Sequence, residues 1–355
     1  GLSLLLAVIT TAVCLLFAYP LALILSKSAA KNRSFVIFIF ILPMWINFLL
    51  RIIAIRMLLS DNGILNYILS ALNLPNFSIM YTPAAIVIGM VYDYFPFMVL
   101  PIYNALIKID HNLLDAAGDL GATPARTFRK IIFPLSVPGV ISGITMVFVP
   151  SISEFVIADI LGGGKVLLIG NIIEQEFNQG NNWHLGSGIS IVLMIFIFVS
   201  MMIGEMKGSG GVAVVKFRHF LEKFYVAIIF VLLYLPIAVL TVMSFNNSRY
   251  MKWGGFTLRW YEDLFTSGPI MEALRNTLLL AVLSALIATV VGTLACVGIL
   301  YMRKRSQSAI MSVNSIPLLN ADIVTGIALM LLFVRMFGNL NFTTMLIAHI
   351  SFNIP

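Results

Sequence analysis

Three long apolar stretches, Leu2 to Leu25, Phe35 to Leu59 and Phe224 to Phe245, constrain this chain more than any other feature. Each exceeds the roughly 20 residues that a helix needs to cross a hydrocarbon core about 30 Å thick. Within lipid every backbone amide must be paired inside its own helix or in a closed barrel, and these stretches lack the two-residue alternation of barrel strands. Composition agrees: 60% of the 355 residues are apolar and 10% charged, against about a quarter charged in a soluble domain. The expected fold class is all-α, a polytopic transmembrane helical bundle. Nine spans are predicted, at about 2–26, 34–59, 83–107, 135–158, 186–206, 224–245, 276–301, 308–337 and 342–355. The last is cut short at Pro355 and Gly1 opens directly onto an apolar run, so the chain is expected to be a piece of a longer one in which no targeting signal is legible.

A formal net charge of +7 could suggest nucleic acid, but the positions of the basic residues point elsewhere. Alternate loops hold Lys27, Lys31 and Arg33; Lys108, Arg126, Arg129 and Lys130; Lys207, Lys216, Arg218 and Lys223; and Arg303, Lys304 and Arg305. The opposite loops hold only Lys165, Arg249, Lys252, Arg259 and Arg275. By the positive-inside rule the first set faces the cytoplasm, so the charge is a topology signal and no nucleic acid is expected as a partner. Cys14 and Cys296 lie within predicted spans, without metal spacing, and are expected to be small core residues.

The chain also repeats itself. Sliding it by 274 residues lays Leu4-Leu5-Leu6-Ala7-Val8 on Leu278-Leu279-Leu280-Ala281-Val282 and Pro43 on Pro317, and the following basic loops coincide. Both copies then point the same way, as two parallel, pseudo-symmetric halves facing each other across a central path. The predicted division is a first half at 1–206, a cytoplasmic join at 207–223 containing Lys207-Gly208-Ser209-Gly210-Gly211, and a second half at 224–355.

Between the third and fourth spans lies Leu114-Asp115-Ala116-Ala117-Gly118-Asp119-Leu120-Gly121, followed nine residues later by Ile131-Ile132-Phe133-Pro134. A short helix with paired alanines offers a small, close-packing face, Gly121 lets the chain turn out of it, and Arg126, Arg129 and Lys130 keep the loop in water. The segment resembles the motif of binding-protein-dependent ABC importer permeases that reads Glu-Ala-Ala, three residues, Gly, nine residues, Ile-x-Leu-Pro. The spacing is kept, with Asp115 in place of Glu and Phe133 in place of Leu. The resemblance implies a type I importer permease fold in which Asp115, Ala116, Ala117, Gly121, Ile131 and Pro134 form a coupling helix seated on a cytoplasmic ATPase dimer.

Two further groups of segments are similar to the permeases of spermidine/putrescine importers. Val91-Tyr92-Asp93-Tyr94-Phe95-Pro96 and Leu161-Gly162-Gly163-Gly164-Lys165-Val166-Leu167-Leu168-Ile169-Gly170-Asn171 are similar to the first subunit. Ser244-Phe245-Asn246-Asn247, Gly255-Phe256-Thr257, Trp260-Tyr261, Asp322-Ile323-Val324 and His349-Ile350-Ser351-Phe352 are similar to the second. Against six spans per subunit, the first half lacks its opening span and the second its last two, with a second coupling motif expected about 20 residues past Pro355. The resemblance further implies an extracytoplasmic binding protein delivering substrate to the loops around 60–82, 159–186 and 246–275.

Gly162-Gly163-Gly164-Lys165 does not bind ATP: a phosphate-cradling loop needs Gly where Asp159 stands and Ser or Thr where Val166 stands. No cofactor is expected on this chain, and ATP and magnesium belong to the partner. Carboxylates inside a membrane are costly and mark a pathway. Asp93 between Tyr92 and Tyr94, Glu154, Asp159 and Asp322 are the candidates, since acidic groups with aromatic faces suit a flexible polycation. Each has a plainer alternative: Asp93 could pair with Arg51 or Arg56, Glu154 with a basic partner from another span, while Asp159 and Asp322 could cap turns. Trp183, Trp253 and Trp260 fit an interfacial belt, and His349 a packed histidine. The expected function is ATP-driven polyamine import through a lipid-embedded permease. The alternatives are a ferric or other cation importer of the same class, and a secondary transporter driven by an ion gradient.

Overall fold

The computed structural model describes residues 1–27, 30–178, 183–206, 219–248, 253–304, 306–307, 310–311, 314 and 322–354. Among these the secondary structure is helical apart from one isolated bridge between Asn246 and Phe256. Five helices are long and apolar enough to cross a membrane: Leu2–Ser26, Pro83–Leu106, Pro124–Ser153, Phe224–Met243 and Gly268–Leu300. A sixth span exists if Phe35–Trp45 and Phe48–Ala71, bent by 87°, count as one. The chain divides into two compact units, one of residues 1–175, 195–244 and 248–253, the other of residues 176–194, 245–247 and 254–355. Of the predicted join, residues 207–218 lie outside the described residues.

The first unit is built on α1 (Leu2–Ser26), α2 (Ala30–Ile41), α3 (Phe48–Leu59), α4 (Ile64–Ala71) and α5 (Pro83–Leu106). It continues through α6 (His111–Asp119), α7 (Pro124–Thr127), α8 (Phe133–Ser153) and α9 (Val156–Gly162) into α10 (Ile169–Asn178). After α11 (Trp183–Met206) it takes in α12 (His219–Met243). Helices α1, α5 and α8 pack as a triple, and small residues set their spacing. A Cβ on Gly139 would lie 2.6 Å from the Pro101 carbonyl oxygen, and one on Gly143 would lie 2.8 Å from the Met98 sulfur. With no hydrophobic drive between helices in lipid, such close backbone approach is what holds spans together.

Prolines break the spans at definite places. The predicted span 34–59 is two pieces: Leu42–Trp45 tightens into a 3₁₀ turn around Pro43, Ile46 is extended, and the Asn47 side chain accepts from Leu49 N–H at 2.9 Å to start α3. The predicted span 135–158 likewise stops at Ser153, where Glu154 turns extended before α9. Aromatic hydroxyls serve the weakened backbone. Tyr234 on α12 donates to the Ile39 carbonyl at 2.5 Å, the carbonyl that Pro43 deprives of its helical donor. Tyr225 donates to Phe17 one turn before Pro20, and Tyr92 to Leu233 one turn before Pro236. In lipid a neighbouring helix must supply such donors. Helix α12, at the head of the predicted second half, is thus tied to α1, α2 and α5.

In the second unit, α13 (Arg259–Thr266) leads into α14 (Gly268–Leu300), followed by α15 (Asp322–Phe337) and α16 (Phe342–Asn353). Helix α14 begins eight residues before the predicted 276 because Pro269, in its first turn, has its backbone angle preset for a helix. It packs against α16, where Asn353 donates to Ser284 at 3.5 Å. Of the predicted span 308–337, the described helix is α15.

Candidate functional site

Two places in the first unit gather the residues that carry chemistry. One is the segment between α5 and α8. Asp110 caps α6 by accepting from Asn112 N–H at 3.0 Å. The helix ends when Ala122 N–H returns to the Ala117 carbonyl and Gly121 N–H to the Gly118 carbonyl, both at 2.9 Å. That pair of bonds is a Schellman closure, and it requires the left-handed residue that Gly121 supplies at φ +74°. Asp115 and Ala116 are exposed, while Ala117 is buried on the inner face. Leu113, Ala116 and Leu120 fall three and four residues apart on one stripe, with Leu120 87% exposed. The result is a short, pinned helix presenting a small apolar stripe outward.

Beyond Gly121, Thr123 caps α7 and the chain passes through a π-turn, Phe128–Ile132, before α8. Ile131 is half-buried in that turn and Pro134 is exposed in the first turn of α8. Phe128 and Phe133 meet Tyr19 of α1 at ring distances of 5.8 and 6.0 Å. The Tyr19 hydroxyl donates to Ser136 Oγ at 2.8 Å, and Ser136 donates to the Phe133 carbonyl at 2.8 Å. Tyr19, Phe128 and Ser136 carried no signal in the sequence beyond Tyr19 standing beside Pro20.

The second place is a buried polar cluster. Asp93, on α5, pairs with Arg51 of α3, Nη2 to Oδ1 at 2.8 Å, with side chains 8% and 5% exposed for Arg51 and Asp93. Arg56, the other candidate partner, is exposed. Tyr94 donates to Glu154 Oε2, and Ile157 N–H donates to Glu154 Oε1 at 3.0 Å. Glu154 therefore sits at the break between α8 and α9 with a tyrosine and a backbone amide as donors. Hydrogen bonds to a charged acceptor contribute about 1.5–3 kcal/mol each. Asp159 accepts from Asn171 Nδ2 at 2.7 Å, and the same amide group reaches the Phe155 carbonyl at 3.0 Å, bracing α9 against the start of α10. Tyr92, Asp93, Tyr94 and Glu154 are thus brought together, with Asp159 one turn further along α9. Asn171, which ends the stretch similar to the first permease subunit and was given no role there, is what fixes that turn.

Asp322 opens α15 in the second unit, and its side chain lies outside the described residues. His349, expected as a packed histidine, lies exposed on α16. The segments 244–247 and 255–261 meet in a clasp. Asn246 accepts from Gly254 N–H at 2.7 Å and its carbonyl from Trp260 Nε1 at 2.8 Å, while Phe245 stacks on Phe256 and Tyr261 at 5.4 and 5.3 Å. Trp260 is thereby a loop-closing residue.

Helices of membrane length, a pinned helix between two of them and a buried charged cluster are the features of a transport component. Residues 15–206 match the family described as "Binding-protein-dependent transport system inner membrane component". The chain belongs to this family and is an inner-membrane permease component. Among its relatives, the Haemophilus influenzae protein named "Spermidine/putrescine transport system permease protein PotB" is 42% identical over 198 residues, covering 54% of this chain and 69% of that protein. The Escherichia coli K12 protein of the same name is 41% identical over 203 residues, 57% of this chain and 74% of that one. The H. influenzae protein named "Spermidine/putrescine transport system permease protein PotC" is 33% identical over 139 residues, 39% of this chain and 54% of that one.

Proposed function

We propose that this chain is the membrane pathway of an ATP-driven importer that moves polyamines of the spermidine and putrescine type into the cytoplasm. The observation that carries the cargo is the 42% identity over 198 residues to a permease named for those polyamines. Tyr92, Asp93, Tyr94, Glu154, Asp159 and Asp322 are the residues assigned to the path, because carboxylates bind ammonium groups by charge-assisted hydrogen bonds and aromatic faces attract them. A protein outside the membrane delivers the cation to the outer loops, where Tyr67 and Leu72 of the α4 region are 77% and 64% exposed.

The work is done by a separate ATP-binding dimer that carries the nucleotide and magnesium; this chain binds no cofactor. Helix α6 is its docking element, with Asp115, Ala116 and Ala117 in the helix, Gly121 closing it, and Ile131 and Pro134 joining it to α8. The exposed Leu113–Ala116–Leu120 stripe supports that assignment: a short apolar face on a helix stiffened at both ends is suited to a groove in a partner. ATP-driven closure then shifts the population between two packed arrangements of the spans.

The test is uptake of labelled spermidine by proteoliposomes holding the permease, its ATPase and its binding protein. Uptake is expected only with ATP. Binding of ferric iron alone by the delivery protein would replace the cargo, and uptake driven by a proton or sodium gradient without the ATPase would replace the class. Ala116→Trp, which fills the docking stripe, is expected to lower ATPase co-purification at least about tenfold, the ordinary effect of spoiling an interface anchor. Its level in the membrane should be unchanged.

A further inference from the structure

The Arg51–Asp93 pair is built in an unusual way for a buried ion pair. Guanidinium and carboxylate groups in permanent structural pairs favour the two-pronged arrangement, two parallel N–H···O bonds. Here one nitrogen lies 2.8 Å from one oxygen as an ion pair, and among the described residues neither Arg51 Nε nor Asp93 Oδ1, both buried, has a hydrogen-bond partner. A donor left orphaned in a low-dielectric interior is normally avoided. The neighbouring groups are held differently. Tyr92 is bonded to the Leu233 carbonyl, Tyr94 to Glu154, and Glu154 also to Ile157 N–H, so the frame around Asp93 is fixed while Asp93 is held by a single contact.

The arginine also sits on a segment set off by a break in its span. Helix α3 is the second piece of a broken span, set off from the first by extended Ile46 and the capping Asn47, with an 87° bend between the pieces. Arg51 is the fourth residue of this 12-residue rod. Its ion pair with Asp93 links the rod to α5 near the joint.

We propose that Arg51 is a tethered stand-in for the transported cation: its guanidinium occupies Asp93 while the path is shut, and an arriving ammonium group takes its place and releases α3. This rests on the reading of the chain as a cation importer and names the residue that makes the path selective for charge. The exchange is even at the carboxylate, where one positive group leaves Asp93 and another replaces it, and the displaced guanidinium is carried by the released α3 into the hydrated path, so neither charge is stranded. A neutral or anionic solute offers no replacement, and prising the pair apart would strand a buried charge. The single contact and the orphaned Nε make the resident cation a weak competitor, as exchange requires.

The experiment measures labelled spermidine uptake and ATP hydrolysis by the reconstituted complex carrying Arg51→Gln, Asp93→Asn or both changes. Arg51→Gln removes the competitor and is expected to lower the apparent KM at least about threefold, since the share of permease with Asp93 available rises. Hydrolysis without substrate should rise with it. Asp93→Asn is expected to cut uptake about tenfold or more while the delivery protein binds spermidine as before. The double variant leaves no unpaired buried charge and should assemble normally, yet remain as slow as Asp93→Asn. If the pair is merely structural, the double variant recovers wild-type uptake, and that result overturns the proposal, as does an unchanged KM in Arg51→Gln. A wild-type complex that carries no cation at all would strike the functional reading instead, so the two failures are told apart by the unmutated control.

Discussion

At the scale of single residues, Gly121 and Asp93 show what could and could not be read from the chain. Gly121 stands where the spacing demands a turn. Its φ is +74° and a Cβ added there would meet nothing within 4 Å, so conformation, not space, selects glycine. Gly121→Ala is therefore expected to cost about 1 kcal/mol locally, seen as faster hydrogen exchange of the amides at 121 and 122 with the rest of the protein unaffected. The opposite result, unchanged protection, would mean the closure is not what holds α6. Asp93 was legible as a costly buried charge, but its partner was not. Arg51 and Arg56 are both close in sequence, yet five residues on a helix turn through about 140°, so only one can face α5. Which one does depends on how α3 is rotated against α5, and that is set by packing between helices far apart in the chain.

At the scale of elements, the break in the predicted span 34–59 falls at Pro43, a residue visible in the sequence, whereas the stop at Ser153 has no such mark. Pro150 lies within α8, and the extended backbone at Glu154 is held by Tyr94 and Asn171, residues from other turns that no local pattern reveals. The π-turn Phe128–Ile132 was equally hidden, since its extra residue per turn leaves the apolar run intact. Such turns recur at functional sites because they add a place where a helix can be re-phased. Here the turn joins α6, the proposed docking helix, to Tyr19 through edge-on and tilted aromatic contacts, a route by which a push on α6 would reach α1 beside Pro20. Tyr19→Phe keeps the rings and loses one hydroxyl bond, worth about 1 kcal/mol, and uptake per ATP should survive. Tyr19→Ala removes the contact, and uptake is expected to fall about tenfold, a loss of about 1.4 kcal/mol of coupling, while hydrolysis continues. Parallel loss of both activities would mark the cluster as a folding element only.

At the scale of the whole molecule, hydropathy marks the membrane class without setting the number of spans. Among the described residues five helices are long and apolar enough to cross a membrane, or six with the bent pair, because the break at Pro43 divides one predicted span; the predicted spans 186–206, 308–337 and 342–355 fall on α11, α15 and α16. The basic loops remain a direct statement about sidedness. With Cys14 and Cys296 replaced, Arg126→Cys should react with a membrane-impermeant maleimide only in inside-out vesicles, and Tyr67→Cys only in right-side-out ones. The reverse labelling would invert the topology and overturn the docking role proposed for α6. The bonds from Tyr225, Tyr234 and Tyr92 to carbonyls beside prolines carry a further consequence. A span whose curvature is maintained by a borrowed donor can straighten or flex by trading one acceptor for another, without unravelling a turn in an anhydrous medium. These phenols place the pliable joints of the bundle under the control of neighbouring helices, so that the motion of one span sets the stiffness of the next.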